Sequence, residues 1–396
     1  MNIIGNRKPL GIYIHIPFCL KKCSYCDFLS ATALEEEMEQ YFLALEKEIT
    51  AYADLAFSYS VQSIFFGGGT PTFPLGEWLA QIFFELQRVF FIEEGAEITI
   101  ECNPETVDLK KLQLYRKIGI NRISFGLQST EDHILKKLGR VHNYQRFLTS
   151  FLWAREAGFS NCNIDLMFGL PSQTLDGWED TLRKVTALEP EHISAYSLIV
   201  EEGTLFFDEM EKGQLLLPGE EEEYKMYEKT VQHLEEAGYR RYEVSNYAKK
   251  GKECRHNLIY WSGKEYLGLG LGASSYINGI RLQNTTDFKN YLENSRYLER
   301  LYIKKEQLTK RSQIEEFMFL GLRKMAGISK AEFQKKFGYT VEQIYKKVLE
   351  KWEKSKLLEE DENRIWLTQQ GILVSNVILA DFLLEESEEE NLIFKK

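Results

Sequence analysis

The sequence predicts an α/β protein: a partial parallel β/α barrel of the TIM-like kind, followed by a C-terminal helical, winged-helix-like domain. Short apolar, β-branched runs recur through the first half with helical stretches between them, the residues with distinctive chemistry fall just after those runs, and beyond about Leu308 the pattern becomes helical. At 396 residues and 44% hydrophobic content, the chain can bury a barrel-sized core and a smaller appended domain.

Six runs read as strands: IYIHI from Ile12, SIFF from Ser63, EITIE from Glu97, RISFG from Arg122, NIDLMFG from Asn163 and HISAYSL from His192. Between them, Leu34 to Tyr52 and Trp78 to Phe90 place apolar residues at helical spacing with charges between, as outer-layer helices require. Parallel barrels carry their chemistry on loops at the C-terminal ends of strands, and the cysteines, GGGTPT, ECNPE, GLQ and FGLP sit at those ends. From Phe206 the chain turns to charged helices and then a Gly- and aromatic-rich stretch from Arg255 to Tyr276. Beyond it lie IEEFMFLGLRKM, AEFQKKFG, VEQIYKKVLEKWEKSKLL and RIWLT, the last a candidate β-wing. The division expected is residues 1–205 as barrel core, 206–305 as an extension and 306–396 as the C-terminal helical domain, a packing module whose acidic run from Glu385 to Glu390 would repel DNA.

The net charge of −11 argues against nucleic acid as a partner, because phosphate binding needs clustered Lys and Arg. No apolar run reaches the roughly 18 residues of a spanning helix, and the N-terminal stretch lacks the features of a signal peptide, so a cytoplasmic location is expected. Six cysteines in so long a chain are not a disulfide scaffold; the three that cluster point to metal binding.

That cluster is HIPFCLKKCSYCDF, with Cys19, Cys23 and Cys26 spaced C-x3-C-x2-C after the first strand. Four-iron clusters normally take four thiolates, so three local ones leave one iron open. S-adenosylmethionine (SAM) can chelate that iron through its amino and carboxylate groups, and an electron from the cluster then generates a 5′-deoxyadenosyl radical. Structural zinc is the competing reading, but it wants a fourth Cys or His nearby, and Asp27 follows the triplet at once. Gly67-Gly68-Gly69 is by itself only a turn signal; at a strand end it lets backbone approach a ligand.

The cysteine loop together with GGGTPT, ECNPE, SFGLQ and NIDLMFGLP resembles radical SAM proteins of the oxygen-independent coproporphyrinogen III oxidase family, over about three quarters of the chain. The resemblance implies a radical SAM barrel, with SAM contacts at Tyr13, Tyr25, Gly68, Gly69, Thr70, Glu101, Gln128, Arg140 and Asp165, some of which serve a second SAM in that family. A helix surface charge for Arg140 and a helix cap for Asp165 are the plainer alternatives.

Within that family the chain resembles a haem-chaperone branch more than the oxidases. The oxidases carry a fourth cysteine where this sequence has Phe28, begin with a longer N-terminal segment that covers substrate, and lack the motif His256-Asn257-Leu258-Ile259-Tyr260-Trp261. A neutral imidazole is a common axial ligand of haem iron, Tyr260 and Trp261 offer flat faces to a macrocycle, and Arg255 suits a propionate. His256 is thus the candidate ligand of haem iron and Cys254 its rival; a satisfied structural histidine is the plainer reading. The resemblance implies transfer of haem to acceptor haemoproteins without coproporphyrinogen oxidase activity, and leaves oligomeric state and peripheral membrane association open.

Overall fold

The computed structural model describes residues 7–384; the acidic run from Glu385 lies outside them. Six parallel strands, β1 (Lys8–Ile16), β2 (Tyr59–Gly68), β3 (Phe91–Cys102), β4 (Arg122–Gln128), β5 (Cys162–Phe168) and β6 (His192–Ser197), pair in sequence order. Each is followed by helix, and the crossovers start and stop on local chemistry. The Asp108 side chain accepts from the Lys111 N–H at 2.8 Å to open helix Leu109–Ile118, which ends on Gly119 at φ +110°. Thr174 opens Leu175–Thr186 by accepting from the Gly177 N–H at 3.2 Å.

The sheet continues past both edges of this unit. Beyond β6 lie β8 (Asn246–Ala248) and β7 (Arg240–Arg241), both antiparallel. On the other side β9 (Tyr266–Leu269) runs parallel to β1, a seventh parallel strand that the six apolar runs did not foretell. It is followed by antiparallel β10 (Ser274–Ile277), β11 (Ile280–Asn284) and β12 (Tyr302–Gln307). The strand is short, and its YLGL carries a glycine, so it has little of the β-branched signal that marks the others. Among the described residues no pairing joins the two ends of the twelve-stranded sheet, so the barrel is open.

One hydrophobic core runs from Leu10 to Leu301, and a second from Ile314 to Leu384. The second belongs to helices Lys310–Gly321, Lys330–Phe337 and Val341–Lys354 with a small antiparallel sheet, β13 (Ile328–Ser329), β15 (Arg364–Leu367) and β14 (Leu358–Glu360), the wing expected of RIWLT. It is joined to the barrel by the Met325 N–H donating to the Tyr242 carbonyl at 3.0 Å. Among the described residues no helix is long and apolar enough to cross a membrane.

Candidate functional site

The C-terminal ends of β1 to β6 open into a cavity of about 630 Å³. Its first wall is the loop after β1. Backbone pairing closes that loop on itself: the Cys19 N–H donates to Ala31 O at 3.0 Å and the Ala31 N–H to Pro17 O at 2.8 Å. Cys19, Cys23 and Cys26 are half-buried on its cavity side. Burial pushes the Cys19 and Cys26 thiols up in pKa, and hydrogen bonding works against the rise; Cys19 Sγ lies 3.5 Å from Thr70 Oγ1. Among the described residues no three Cys, His, Asp or Glu side chains converge as one metal ion would require, whereas the three thiols edge an open cavity.

All nine positions assigned to SAM line this cavity. Glu101 Oε2 accepts from the Gly68 N–H at 3.1 Å, and burial, with the nearby Asp165 charge second, lifts its carboxyl from the usual 4.5 to about 8. Asp165 is not a helix cap. It accepts from Ser124 Oγ at 3.0 Å and Asn163 Nδ2 at 2.7 Å inside the barrel, and burial raises its pKa too. Arg140 is no surface charge either: Nη2 donates to Gly126 O at 2.5 Å, Nη1 to Cys23 Sγ at 3.5 Å, and its buried Nε has no partner among the described residues. Gln128 sits at φ +72° with a buried Oε1 that has no partner among the described residues. A strained residue and orphaned polar atoms facing one cavity suit a polar ligand such as SAM.

The glycines have a packing reason of their own. A Cβ on Gly68, at φ +113°, would come 2.6 Å from the His15 ring, and one on Gly69 would come 2.9 Å from the Phe18 backbone N and O. Both are glycine because the turn packs against β1 and the cysteine loop; their lack of a side chain is explained without a ligand. Tyr13 OH meets His15 Nδ1 at 3.1 Å, and His15 Nε2 lies 2.8 Å from Leu29 O, so His15 braces both loops. Tyr25 packs against the cluster that contains Ile134, Leu138 and Met167.

His256 and Tyr260 line the same cavity, from helix Arg255–Trp261. Glu97 holds that helix, accepting from the Arg255 N–H and the His256 N–H, each at 3.1 Å. Both imidazole nitrogens are engaged: Nδ1 lies 2.9 Å from Ser63 Oγ and Nε2 2.9 Å from Tyr260 OH. Burial, with Arg122 second, drops the His256 pKa to about 3, so the ring is neutral. Cys254 is fully buried behind the cavity, 3.5 Å from Glu97 Oε1, with its thiol pushed to about 12 by burial. Trp261 and Arg255 are not in the cavity wall: the Arg323 guanidinium lies 5.4 Å over the Trp261 ring, and Arg255 Nη2 donates to Gly95 O at 2.9 Å.

Missed from sequence was the polar floor: Arg122, Ser124, Asn163, Ser194 and Tyr196. Ser124 pairs in register with Asn163, and Asp165 with Ser194. The signal was available, since polar residues alternate with apolar ones in RISFG, NIDLM and HISAY, and period two puts them all on one face.

Three thiols spaced for a cluster with an open iron, set on the loop after the first strand of an open β/α barrel and facing a polar ligand cavity, define a radical SAM protein. The sequence model of the Radical SAM superfamily matches residues 13–185, and that of the HemN C-terminal domain matches 308–374. The solved structure of coproporphyrinogen III oxidase (HemN) from Escherichia coli, described as a radical SAM enzyme, superposes with a TM-score of 0.84 at 25% identity, covering 95% of this chain and 90% of that one. The heme chaperone HemW of Bacillus subtilis is 41% identical over 94% of this chain and 99% of its own length. HemW of Escherichia coli is 33% identical over 95% and 99%. The chain belongs to the HemW family.

Proposed function

We propose that this protein binds haem and passes it to acceptor haemoproteins, holding a [4Fe–4S] cluster on Cys19, Cys23 and Cys26 and SAM in the cavity beside it. The observation that carries the reading is that His256 and Tyr260 open into the same cavity as the three thiols and Glu101. Membership of a family whose relatives are named heme chaperones supports it. Cluster and SAM together supply one-electron radical chemistry when bound. The chain's own residues position the ligands. Arg140 donates to a cysteine of the cluster loop, Glu101 and Asp165 offer carboxyl oxygens that would accept from the SAM amino or ribose groups, and Gln128 has a free acceptor for a donor on the nucleoside.

His256 is the better candidate for haem iron than Cys254, because its ring is neutral and lines the cavity with Nε2 directed to the cavity-lining Tyr260 OH, whereas burial keeps the Cys254 thiol protonated. Six free cysteines and an acidic net charge support a cytoplasmic site of action without nucleic acid.

The likeness to HemN favours a second reading, coproporphyrinogen III oxidation. Against it, the position of the oxidases' fourth cysteine is Phe28, 61% exposed on the cavity wall. The test is to supply cluster-reconstituted protein with haemin and with coproporphyrinogen plus SAM and reductant. The chaperone reading expects a Soret band that shifts in His256→Ala, transfer to an apo-haemoprotein, and no conversion of coproporphyrinogen; conversion at an enzymatic rate would replace it with the oxidase reading.

A further inference from the structure

We infer that Arg122 anchors a carboxylate of the cavity's ligand from the floor of the barrel. The inference rests on the reading of this cavity as a site for haem and SAM, and it names the group that fixes the ligand's acidic end. Arg122 opens β4 and lines the cavity, yet it is only 2% exposed. Its Nε has no partner; among the described residues no hydrogen bond reaches its guanidinium and no carboxylate comes within ion-pair distance of it. A guanidinium stays charged at any working pH. A buried charge without a partner weakens a fold, so an unpaired one that faces a cavity calls for a ligand of opposite charge.

The polar groups around it are committed elsewhere. Glu97 accepts from the Arg255 and His256 N–H groups and from Cys254 Sγ. Asp165 accepts from Ser124 Oγ and Asn163 Nδ2. His192 uses both ring nitrogens, Nδ1 at 2.6 Å from Asn163 Oδ1 and Nε2 at 2.9 Å from Tyr242 OH. Arg140, also in the cavity wall, is already bonded to Gly126 O and Cys23 Sγ. Arg122 keeps its whole fork of N–H donors for a partner that the chain does not supply. That planar fork matches the two oxygens of a carboxylate. Haem brings propionates, and SAM brings the carboxylate of its methionine end. The SAM on the cluster has that group bound to iron, so on the SAM side the source is a second molecule. In both cases the acidic end lies at the floor, two residues before Ser124 on the same face of β4.

The test compares full-length, cluster-reconstituted wild type with Arg122→Met, which removes the charge and keeps the bulk. One arm titrates haemin and haemin dimethyl ester by Soret absorbance; the other follows SAM and decarboxylated SAM by calorimetry. Arg122→Met is expected to weaken haemin or SAM by about 10- to 100-fold and to bind the matching ester or decarboxylated analogue as wild type does. The arm that moves names the source of the carboxylate. Arg122→Lys, which keeps the charge without the fork, recovers part of the loss. Without ligand, Arg122→Met should melt at or above the wild-type temperature, because it removes an unpaired buried charge. Affinities unchanged in both arms overturn the inference, as does an equal loss for acid and analogue, which is a general disturbance of the wall. A ligand-free Tm several degrees below wild type overturns it too, since Arg122 is then a structural counter-charge. Wild type with no Soret band at all overturns the haem reading instead, and the SAM arm then decides this inference by itself.

Discussion

The Arg140 guanidinium donates to the Cys23 sulfur at 3.5 Å while its other arm holds the Gly126 carbonyl at 2.5 Å, which ties the cysteine loop to the fourth strand. Hydrogen bonds to sulfur tune a cluster's potential, and a bond from a charged donor is worth about 1.5–3 kcal/mol. Arg140→Ala is expected to retain iron but to shift the cluster's midpoint potential and weaken SAM by about 10- to 100-fold. Potentiometric EPR and calorimetry measure the two effects; if neither moves, Arg140 serves packing alone.

Cys102 lines the cavity as the three loop cysteines do, yet burial pushes its thiol to about 12 and its Sγ donates to Asn103 O at 3.5 Å. It is therefore expected to stay protonated and off the cluster. Anaerobically reconstituted Cys102→Ala should hold the iron of wild type, while Cys23→Ala should lose most of it and the EPR change on SAM addition. Equal iron loss in the two variants would make Cys102 a ligand.

Replacing Gly68 acts on the turn before it acts on any ligand. A side chain at φ +113° costs about 1–2 kcal/mol and also meets His15. Gly68→Val is expected to lower Tm by several degrees and to weaken SAM through the displaced loop, with partial recovery on shortening His15 to Ala. A variant with wild-type Tm that has lost SAM binding would restore direct contact as the reason for glycine.

The raised Glu101 carboxyl makes the apoprotein pH-sensitive. Its pKa is about 8 folded against 4.5 ordinarily, so the folded state holds the proton more tightly. The stability this contributes is complete below about pH 4.5 and is lost as pH rises through 8. Glu101→Gln should flatten that part of the stability curve. SAM, carrying positive charge, should bind more tightly from pH 7 to 9 and release a proton; calorimetry in buffers of different ionisation enthalpy shows whether it does.

Another chain segment decided what the polar groups do. His256 meets Ser63 across 193 residues and Glu97 across 159, and neither partner carries a motif. Read alone, His256 admitted haem iron, a structural role or displacement by Cys254. The fold buries Cys254 behind the cavity and sets His256 in its wall with both ring nitrogens engaged, by Ser63 and by Tyr260. Trp261, inseparable from Tyr260 in the motif, faces elsewhere because successive helical residues point about 100° apart.

What the sequence determined by itself is what contiguous residues decide: three thiolates within eight positions, six strands of period two, crossover helices with their caps, and the order in which these must stack into an open parallel barrel. Spacing along the chain sets geometry there, because few bonds separate the groups. The tertiary structure decided the rest: the seventh parallel strand against β1, the packing of His15 under Gly68, and the joining of His256 and Tyr260 with the positions assigned to SAM in one cavity. Those depend on which distant segments share a core, and a local period says which face is buried without saying what it is buried against.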